Sequence, residues 1–200
     1  IALLLAGCGR GSRFEEPKLP LPPVSDTGVE EGVFYQVDYG FCFPAPSKWL
    51  FPKVVGDQEA DEVARFTDKA RESYFRLFVR HADPDQKFSA EDWFESKVKD
   101  WTDRDYKVKK REDGRDLSAG GSGTWASSLF HVTDPQRADW TVREWVLPKG
   151  DLILGARISM PARITDKPEG KALLDGAEAG LSKVAWRMPV GPRGISLERY

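Results

Sequence analysis

Two histidines, His81 and His131, are the residues best suited by type to bind a metal ion or to transfer protons. Each falls at the end of a predicted strand, and neither has a second His or Cys at the spacing of a zinc site. Residues 83–88 begin like a calcium-binding loop, but Lys87 and Phe88 stand where such a loop needs an oxygen ligand and a glycine. We therefore expect structural histidines, a turn at residues 83–88, no metal site and no cofactor.

Residues 120–124, GGSGT, have the composition of a phosphate-binding loop. They lack the lysine of a P-loop and precede a predicted strand, so the helix N-terminus that would attract a phosphate is missing. The sequence has no G-x-S-x-G elbow, and it identifies no set of Ser, His and carboxylate residues for nucleophilic catalysis. We expect a strand connection at residues 120–124 and no catalytic residues, in a protein that is not an enzyme.

Arginines on several predicted strands could share one sheet face and receive an anion. They are Arg76, Arg80, Arg143 and Arg157. Glu144 and many other carboxylates are available to pair with them. Because surface charges of both signs are usual, we expect this face to be solvated, and the ligand-binding residues stay unknown at this point.

Two further features could bind a partner or react chemically. Residues 107–111, KVKKR, form a basic predicted strand, but Glu112 and Asp113 follow directly, which favours a solvated edge strand over a docking patch. Cys42 stands between two phenylalanines in another predicted strand. We expect its thiol to be buried and inert, because a reactive thiol needs exposure and a cationic neighbour.

Cys8 is the cysteine for which the surrounding sequence indicates a chemical role. Residues 1–7 are expected to be the remnant of a signal peptide, so that the given sequence begins inside it. Residues 5–8, Leu-Ala-Gly-Cys, resemble the bacterial lipobox. That resemblance implies a diacylglycerol on the thiol of Cys8, cleavage before it, and acylation of the new N-terminus. An ordinary secretory peptide, or a buried helix containing Cys8, is the alternative.

The segment after Cys8 favours lipid attachment. Residues 8–32 contain four prolines and alternating charges with almost no apolar periodicity, which predicts a flexible tether. Such a tether would hold the folded domain away from the surface of the membrane into which the lipid inserts. We expect a location in the bacterial cell envelope. Since Gly9 and not Asp follows Cys8, the outer membrane facing the periplasm is favoured, with the outer face of the plasma membrane as the alternative.

Composition narrows the classes of partner. The 200 residues carry 30 basic and 32 acidic side chains, a formal net charge of −2, so no positive field is available to neutralise nucleic-acid phosphates. The chain has two cysteines, Cys8 and Cys42, and we expect no disulfide because Cys8 lies in the processed segment. The expected partners are the membrane, through the lipid, and an envelope protein or small molecule.

The folded domain is expected to span residues 33–187, followed by a loose tail at 188–200. Alternating patterns predict strands at 39–43, 62–67, 73–81, 106–111, 123–132, 140–147 and 152–160. Ser89 is a predicted helix cap, and Trp93, Phe94, Val98 and Trp101 form an apolar stripe after it. A last helix is predicted at 166–184. Strands joined by short turns and two main helices predict an α+β fold, an antiparallel sheet packed with helices.

One motif adds a family resemblance. Tyr39, Gly40, Phe41, Phe43, Pro46 and Trp49 resemble the Y-G-F-x-F-x-x-P-x-x-W opening of the PsbP-like family, which shares its fold with the Mog-type Ran-binding proteins. The order of predicted elements is similar to the family's, and many bacterial members are lipoproteins. The resemblance implies a non-enzymatic domain that binds or supports a membrane-associated complex. A structural envelope component without a ligand, or a lipoprotein enzyme with an unrecognised site, remains the alternative.

Overall fold

A computed structural model of the chain describes residues 27–30, 32–36, 38–51, 61–85 and 87–186. The elements in these ranges are β1 (Gly28–Glu30), β2 (Val33–Gln36), β3 (Phe41–Pro44), β4 (Glu62–Thr67), β5 (Tyr74–His81), α1 (Ala90–Thr102), β6 (Lys107–Asp113), β7 (Leu117–Ser118), β8 (Thr124–Thr133), β9 (Asp139–Lys149), β10 (Leu152–Pro161), α2 (Ala162–Thr165), α3 (Pro168–Leu181) and β11 (Ala185–Trp186). The predicted α+β class is confirmed. Cys8, most of the predicted tether and the predicted tail lie outside the described residues.

The strands form two antiparallel sheets. The larger sheet has the order β4-β5-β10-β9-β8-β6, with β7 paired to β8 beside it, and the smaller sheet has the order β1-β2-β3-β11. The long strands β9 and β10 form a hairpin, as predicted, whose turn contains Gly150 and Asp151. Gly150 has φ +60°, a left-handed conformation that glycine adopts without steric cost. This hairpin forms the centre of the larger sheet.

Alternation along these strands separates two hydrophobic cores. The first core joins the smaller sheet and α3 to one face of the larger sheet, and Phe34, Phe43 and Trp145 belong to it. The second core lies between the other face and α1, and it includes Phe78 and Phe130. The larger sheet is therefore covered on both faces, and the side under α1 also carries the buried charges of Glu144 and Arg157.

Helix α1 forms where the capping pattern predicts it. The backbone N–H of Asp92 donates to the Ser89 side chain over 3.3 Å, which satisfies one of the unpaired amides of the first turn. Trp93, Phe94 and Trp101 are buried against the sheet, as predicted. The fourth buried residue of the helix is Lys97. Sequence periodicity did not predict this, because a lysine counts as a surface residue.

Three boundaries differ from the sequence-based expectations. Strand β1 brings residues 28–30, expected in the tether, into the smaller sheet. Strand β3 begins at Phe41 instead of Tyr39, since Gly40 (φ +69°) closes a turn in which its N–H donates to Gln36. The helix predicted at 166–184 is the shorter α3, which begins at Pro168 and ends at Leu181, and the one-turn helix α2 before it was not predicted. Proline suits the first turn of a helix, where its missing N–H would have no partner within the helix.

Among the described residues, no helix combines the length and the apolar character needed to cross a bilayer.

Candidate functional site

Three charged side chains meet on the face of the larger sheet that α1 covers. Arg157 on β10 lies directly opposite Arg76 on β5 and, on its other side, opposite Glu144 on β9. Directly opposed residues on neighbouring antiparallel strands have Cβ atoms about 4.5–5.5 Å apart. The strand register therefore fixes two guanidinium groups and one carboxylate next to each other.

The Arg157–Glu144 pair is the buried centre of this group. Arg157 Nε donates to Glu144 Oε1, and the two residues are 2% and 0% exposed. Aromatic rings enclose the guanidinium: its central carbon lies 4.8 Å from the centroid of Phe78 and 5.2 Å from that of Trp101. Cations over aromatic faces are stabilised by the ring quadrupole, and more strongly when water is excluded.

Lys97 reaches the same region from α1. Its ammonium group lies 4.8 Å from the ring centroid of Trp93 and 5.2 Å from that of Phe78. Burial lowers the pKa of Lys97; the positive charges of Arg157 and Arg80 lower it further, and Glu144 acts in the opposite direction. The covered face thus holds more positive than negative charge.

A pocket of about 210 Å³ opens beside this charged group, near the carboxyl end of α1. We name it the arginine pocket. Its lining residues are Tyr74, Arg76, Trp101, Arg104, Tyr106, Val132, Trp140, Val142, Arg157 and Ser159. These ten described residues include three arginines, four aromatic rings and no carboxylate. The Arg76 guanidinium also lies 5.3 Å from the ring centroid of Tyr74.

A larger and more open groove adjoins the arginine pocket, because Tyr74 and Trp140 line both. The groove has a volume of about 570 Å³ and carries charges of both signs. One of its ion pairs joins Arg163 to Glu72 over 2.6 Å, and both side chains are about half exposed. The groove therefore lacks the positive excess of the arginine pocket.

The expectation of a solvated arginine face is wrong. Arg76, Arg80 and Arg157 do share a face, but α1 covers it and buries Arg157. Arg143 lies on the opposite face, where its guanidinium is 3.6 Å from Glu178 of α3. Alternation in the sequence separates the two faces of a strand, but it does not show which polar face a helix will cover. The apolar stripe of α1 did indicate that this helix packs on a face of the sheet, because such a stripe must be buried against another element.

The other residues singled out from the sequence lie apart from the arginine pocket. His81 and His131 are each beside a carboxylate, at 3.7 Å from Asp151 and 3.4 Å from Glu112. No group of three or more potential metal ligands occurs in the described ranges. The predicted buried position of Cys42 is confirmed.

The basic strand and the glycine-rich stretch have the predicted structural roles. Strand β6 is an edge strand of the larger sheet, and its lysines are exposed. Lys109 and Arg111 pair with Asp139 and Glu91, at 2.7 and 2.5 Å. The glycines at 120–121 belong to a short 3₁₀ turn between β7 and β8, which confirms a strand connection.

Solved structures place this fold among known proteins. Cyanobacterial PsbP (CyanoP) from Synechocystis sp. PCC 6803 is similar over 82% of this chain and 99% of its own, with a TM-score of 0.56 and 16% identity. The Saccharomyces cerevisiae Ran-binding protein Mog1p covers 82% of this chain and 97% of its own, with a TM-score of 0.53 and 9% identity. The chain has the PsbP/Mog1 fold. No protein-family model and no curated protein matches the sequence.

A mutant form of the protein Mog1 has the same fold. It is similar over 74% of this chain and 90% of its own, with a TM-score of 0.51 and 10% identity. At such identities the likeness to PsbP and Mog1 concerns the fold, and a fold hosts many functions. The function of this PsbP/Mog1-fold chain must therefore be argued from its own side chains.

Proposed function

We propose that the chain is a lipid-anchored binding domain of the bacterial envelope, non-catalytic and extracytoplasmic. The lipobox-like residues 5–8 support the anchor, with Cys8 as the acyl acceptor, and residues 9–26 supply a proline-rich connection to the sheet. Gly9 after the lipidated cysteine favours the outer membrane. The arginine pocket is the observation that supports the binding function. Its proposed ligand is an anionic small molecule.

The chemistry of the pocket favours binding over catalysis. Guanidinium groups stay protonated at any ordinary pH and offer only donors, so Arg76, Arg104 and Arg157 hold an anion and do not accept a proton from it. Charge-assisted hydrogen bonds of this kind are about twice as strong as neutral ones. Part of the lining is also shielded from water, which strengthens the attraction. The site thus has the properties of an anion receptor.

Replacement of Cys8 by Ala tests the anchor. In the Cys8→Ala precursor there is no thiol to acylate, so the protein should leave the membrane fraction and accumulate as a larger, unprocessed species. Fractionation and intact-mass measurement of both forms check this. A variant that still fractionates with membranes at the mature mass would contradict lipid attachment at Cys8.

Native mass spectrometry of the detergent-extracted full-length protein tests the pocket. We expect a bound small anion on the wild type and about tenfold lower occupancy on Arg76→Gln, since a charge-assisted hydrogen bond is lost. Arg163→Gln, which changes an arginine of the neighbouring groove, is the matched control and should keep the anion. Equal occupancy of wild type and Arg76→Gln, or no bound anion on either, would contradict a ligand site in the pocket.

A further inference from the structure

We propose that the open groove beside the arginine pocket binds a short oligosaccharide. This inference concerns the groove and goes beyond the anion site proposed for the arginine pocket. Three observations support it: two aromatic rings that are held in place, charged side chains that both donate and accept hydrogen bonds, and strands whose backbones are already paired.

Tyr74 and Trp140 provide the aromatic surface of the groove, and both residues are partly exposed. Each ring is held at its polar end. The Tyr74 hydroxyl donates to Arg71 O over 3.3 Å, and Trp140 Nε1 donates to Asp134 Oδ2 over 3.0 Å. Since both donors have partners, the rings offer a ligand their faces and edges. The negative face of an aromatic ring attracts the weakly positive C–H groups on the flat side of a pyranose ring.

The charged side chains around these rings supply both donors and acceptors. Arg71 and Arg163 donate, and Glu72 and Asp139 accept. Glu72 lies 2.6 Å from Arg163, and Asp139 accepts from Lys109 over 2.7 Å. A carboxylate has about four acceptor positions, so these contacts leave positions for hydroxyl donors. The side chains of both pairs are about half exposed, so a ligand reaches them from solvent.

The strands that carry the two rings have no unpaired edge at this point. Strands β5, β9 and β10 each lie between two neighbours in the larger sheet. Tyr74 is paired on both sides, and so is Trp140. An extended peptide therefore cannot bind here by strand addition, which requires an exposed sheet edge.

A sugar ring combines the two properties that the groove matches. One side of a pyranose presents C–H groups to an aromatic surface, and its hydroxyl groups both donate and accept hydrogen bonds. The groove volume of about 570 Å³ lies within the range of about 300–1,000 Å³ typical of pockets for drug-sized ligands. A short oligosaccharide is a ligand of this size, and it is the class of ligand that these side chains favour.

Titration of the full-length protein with three probes tests the ligand class. Cellotriose has ring faces and hydroxyl groups, sorbitol has hydroxyl groups without a ring, and trialanine is a peptide of similar length. The protein is kept in a detergent without a sugar headgroup, and calorimetry and tryptophan fluorescence measure each affinity. We expect cellotriose to bind about fivefold or more tightly than either of the other probes, because only cellotriose contacts the aromatic rings through flat C–H faces.

Four variants locate the binding. Trp140→Leu should weaken cellotriose binding about fivefold, and Asp139→Asn about threefold, since a charge-assisted hydrogen bond becomes a neutral one. Asp151→Asn, at an exposed carboxylate in the β9–β10 turn, is the matched control and should leave the affinity unchanged. Arg76→Gln should also keep cellotriose binding. Asp139 is exposed, so its variant stays informative if Trp140→Leu folds poorly.

The outcomes separate this inference from the anion site. Absence of cellotriose binding, or equal binding of sorbitol, would overturn the oligosaccharide and leave the anion in the arginine pocket untouched. Tighter binding of trialanine would identify the groove as a peptide site instead. Cellotriose binding that is lost in Arg76→Gln but kept in Asp139→Asn would place the sugar in the arginine pocket and contradict a separate site.

Discussion

Glu144 determines how much positive charge the covered face of the sheet holds. Its carboxylate is fully buried and accepts from Arg157, while Arg76 and Lys97 lie on the same face. A buried charge is tolerated only when paired and hydrogen-bonded, because its hydration is lost. Glu144 thus compensates the buried charge of Arg157 and makes this charged group compatible with a stable fold.

Glu144→Gln should destabilise the protein strongly. The substitution removes the negative charge that compensates the buried Arg157 guanidinium, and breaking a buried pair costs about 3–5 kcal/mol. Urea unfolding followed by circular dichroism measures the free energy of unfolding. Glu72→Gln, which removes an exposed partner of Arg163, is the matched control and should cost about 1 kcal/mol or less. Equal effects of the two substitutions would show that burial of the Arg157–Glu144 pair has little energetic weight.

At the scale of elements, the two long helices pack on the rest of the fold through glycines. A Cβ at Gly155 of β10 would lie 2.5 Å from the Trp93 ring of α1, so the missing side chain lets that indole approach the sheet. A Cβ at Gly176 of α3 would lie 2.4 Å from the carbonyl oxygen of Ser47. Both distances are shorter than van der Waals contact. The helix positions therefore depend on close contacts that larger residues would prevent.

Gly176→Ala should destabilise the protein even though alanine favours helices. The added methyl group meets a backbone oxygen, which cannot rotate away, and overpacking costs about 1–3 kcal/mol. This exceeds the gain of about 0.5–1 kcal/mol from replacing a helical glycine by alanine. The thermal midpoint should fall relative to wild type.

Gly121→Ala provides the control for this prediction. A Cβ at Gly121 meets no atom within 4 Å, and the residue is exposed in the turn before β8. Its substitution should change the stability by about 0.5 kcal/mol or less. A Gly176→Ala protein that melts at or above the wild-type temperature would show that α3 can move away from residue 47.

Local signals in the sequence predict elements well where they coincide with tertiary contacts. The Ser89 cap, the β9–β10 turn and the burial of Phe43 all follow from local chemistry. The start of α3 at Pro168 and the turn at Gly40 also had local signals, the proline and the glycine themselves, but the predicted boundaries followed periodicity. For the arginine pocket, the stripe on α1 indicated only that some sheet face would be covered, because the pocket depends on strand register and on which face α1 covers. These are long-range properties that one sequence pattern does not encode.

At the scale of the whole molecule, both hydrophobic cores share the larger sheet. Phe43 belongs to the first core and Phe130 to the second, and the central hairpin β9–β10 contributes residues to each. A loss of packing on one face therefore removes support from strands that the other core needs. Cooperative unfolding in a single transition is typical of a domain of this size.

Phe43→Ala and Phe130→Ala should each lower one common unfolding transition. Both side chains are at most 1% exposed, and truncation of a buried phenylalanine costs about 3–5 kcal/mol. Tryptophan fluorescence and far-ultraviolet circular dichroism should give the same midpoint in each variant. Leu50→Ala, at a side chain that is 55% exposed, is the control and should change little. Separate transitions for the two probes would show that the cores unfold independently.

The buried position of Cys42 has a practical consequence for measuring motion. The residue lies in β3, between β2 and β11 of the smaller sheet, and the sequence contains one other cysteine, Cys8, whose sulfur the proposed lipid would occupy. A thiol reagent then modifies Cys42 only during moments when β3 separates from its neighbours. The rate of alkylation thus reports how often the smaller sheet opens.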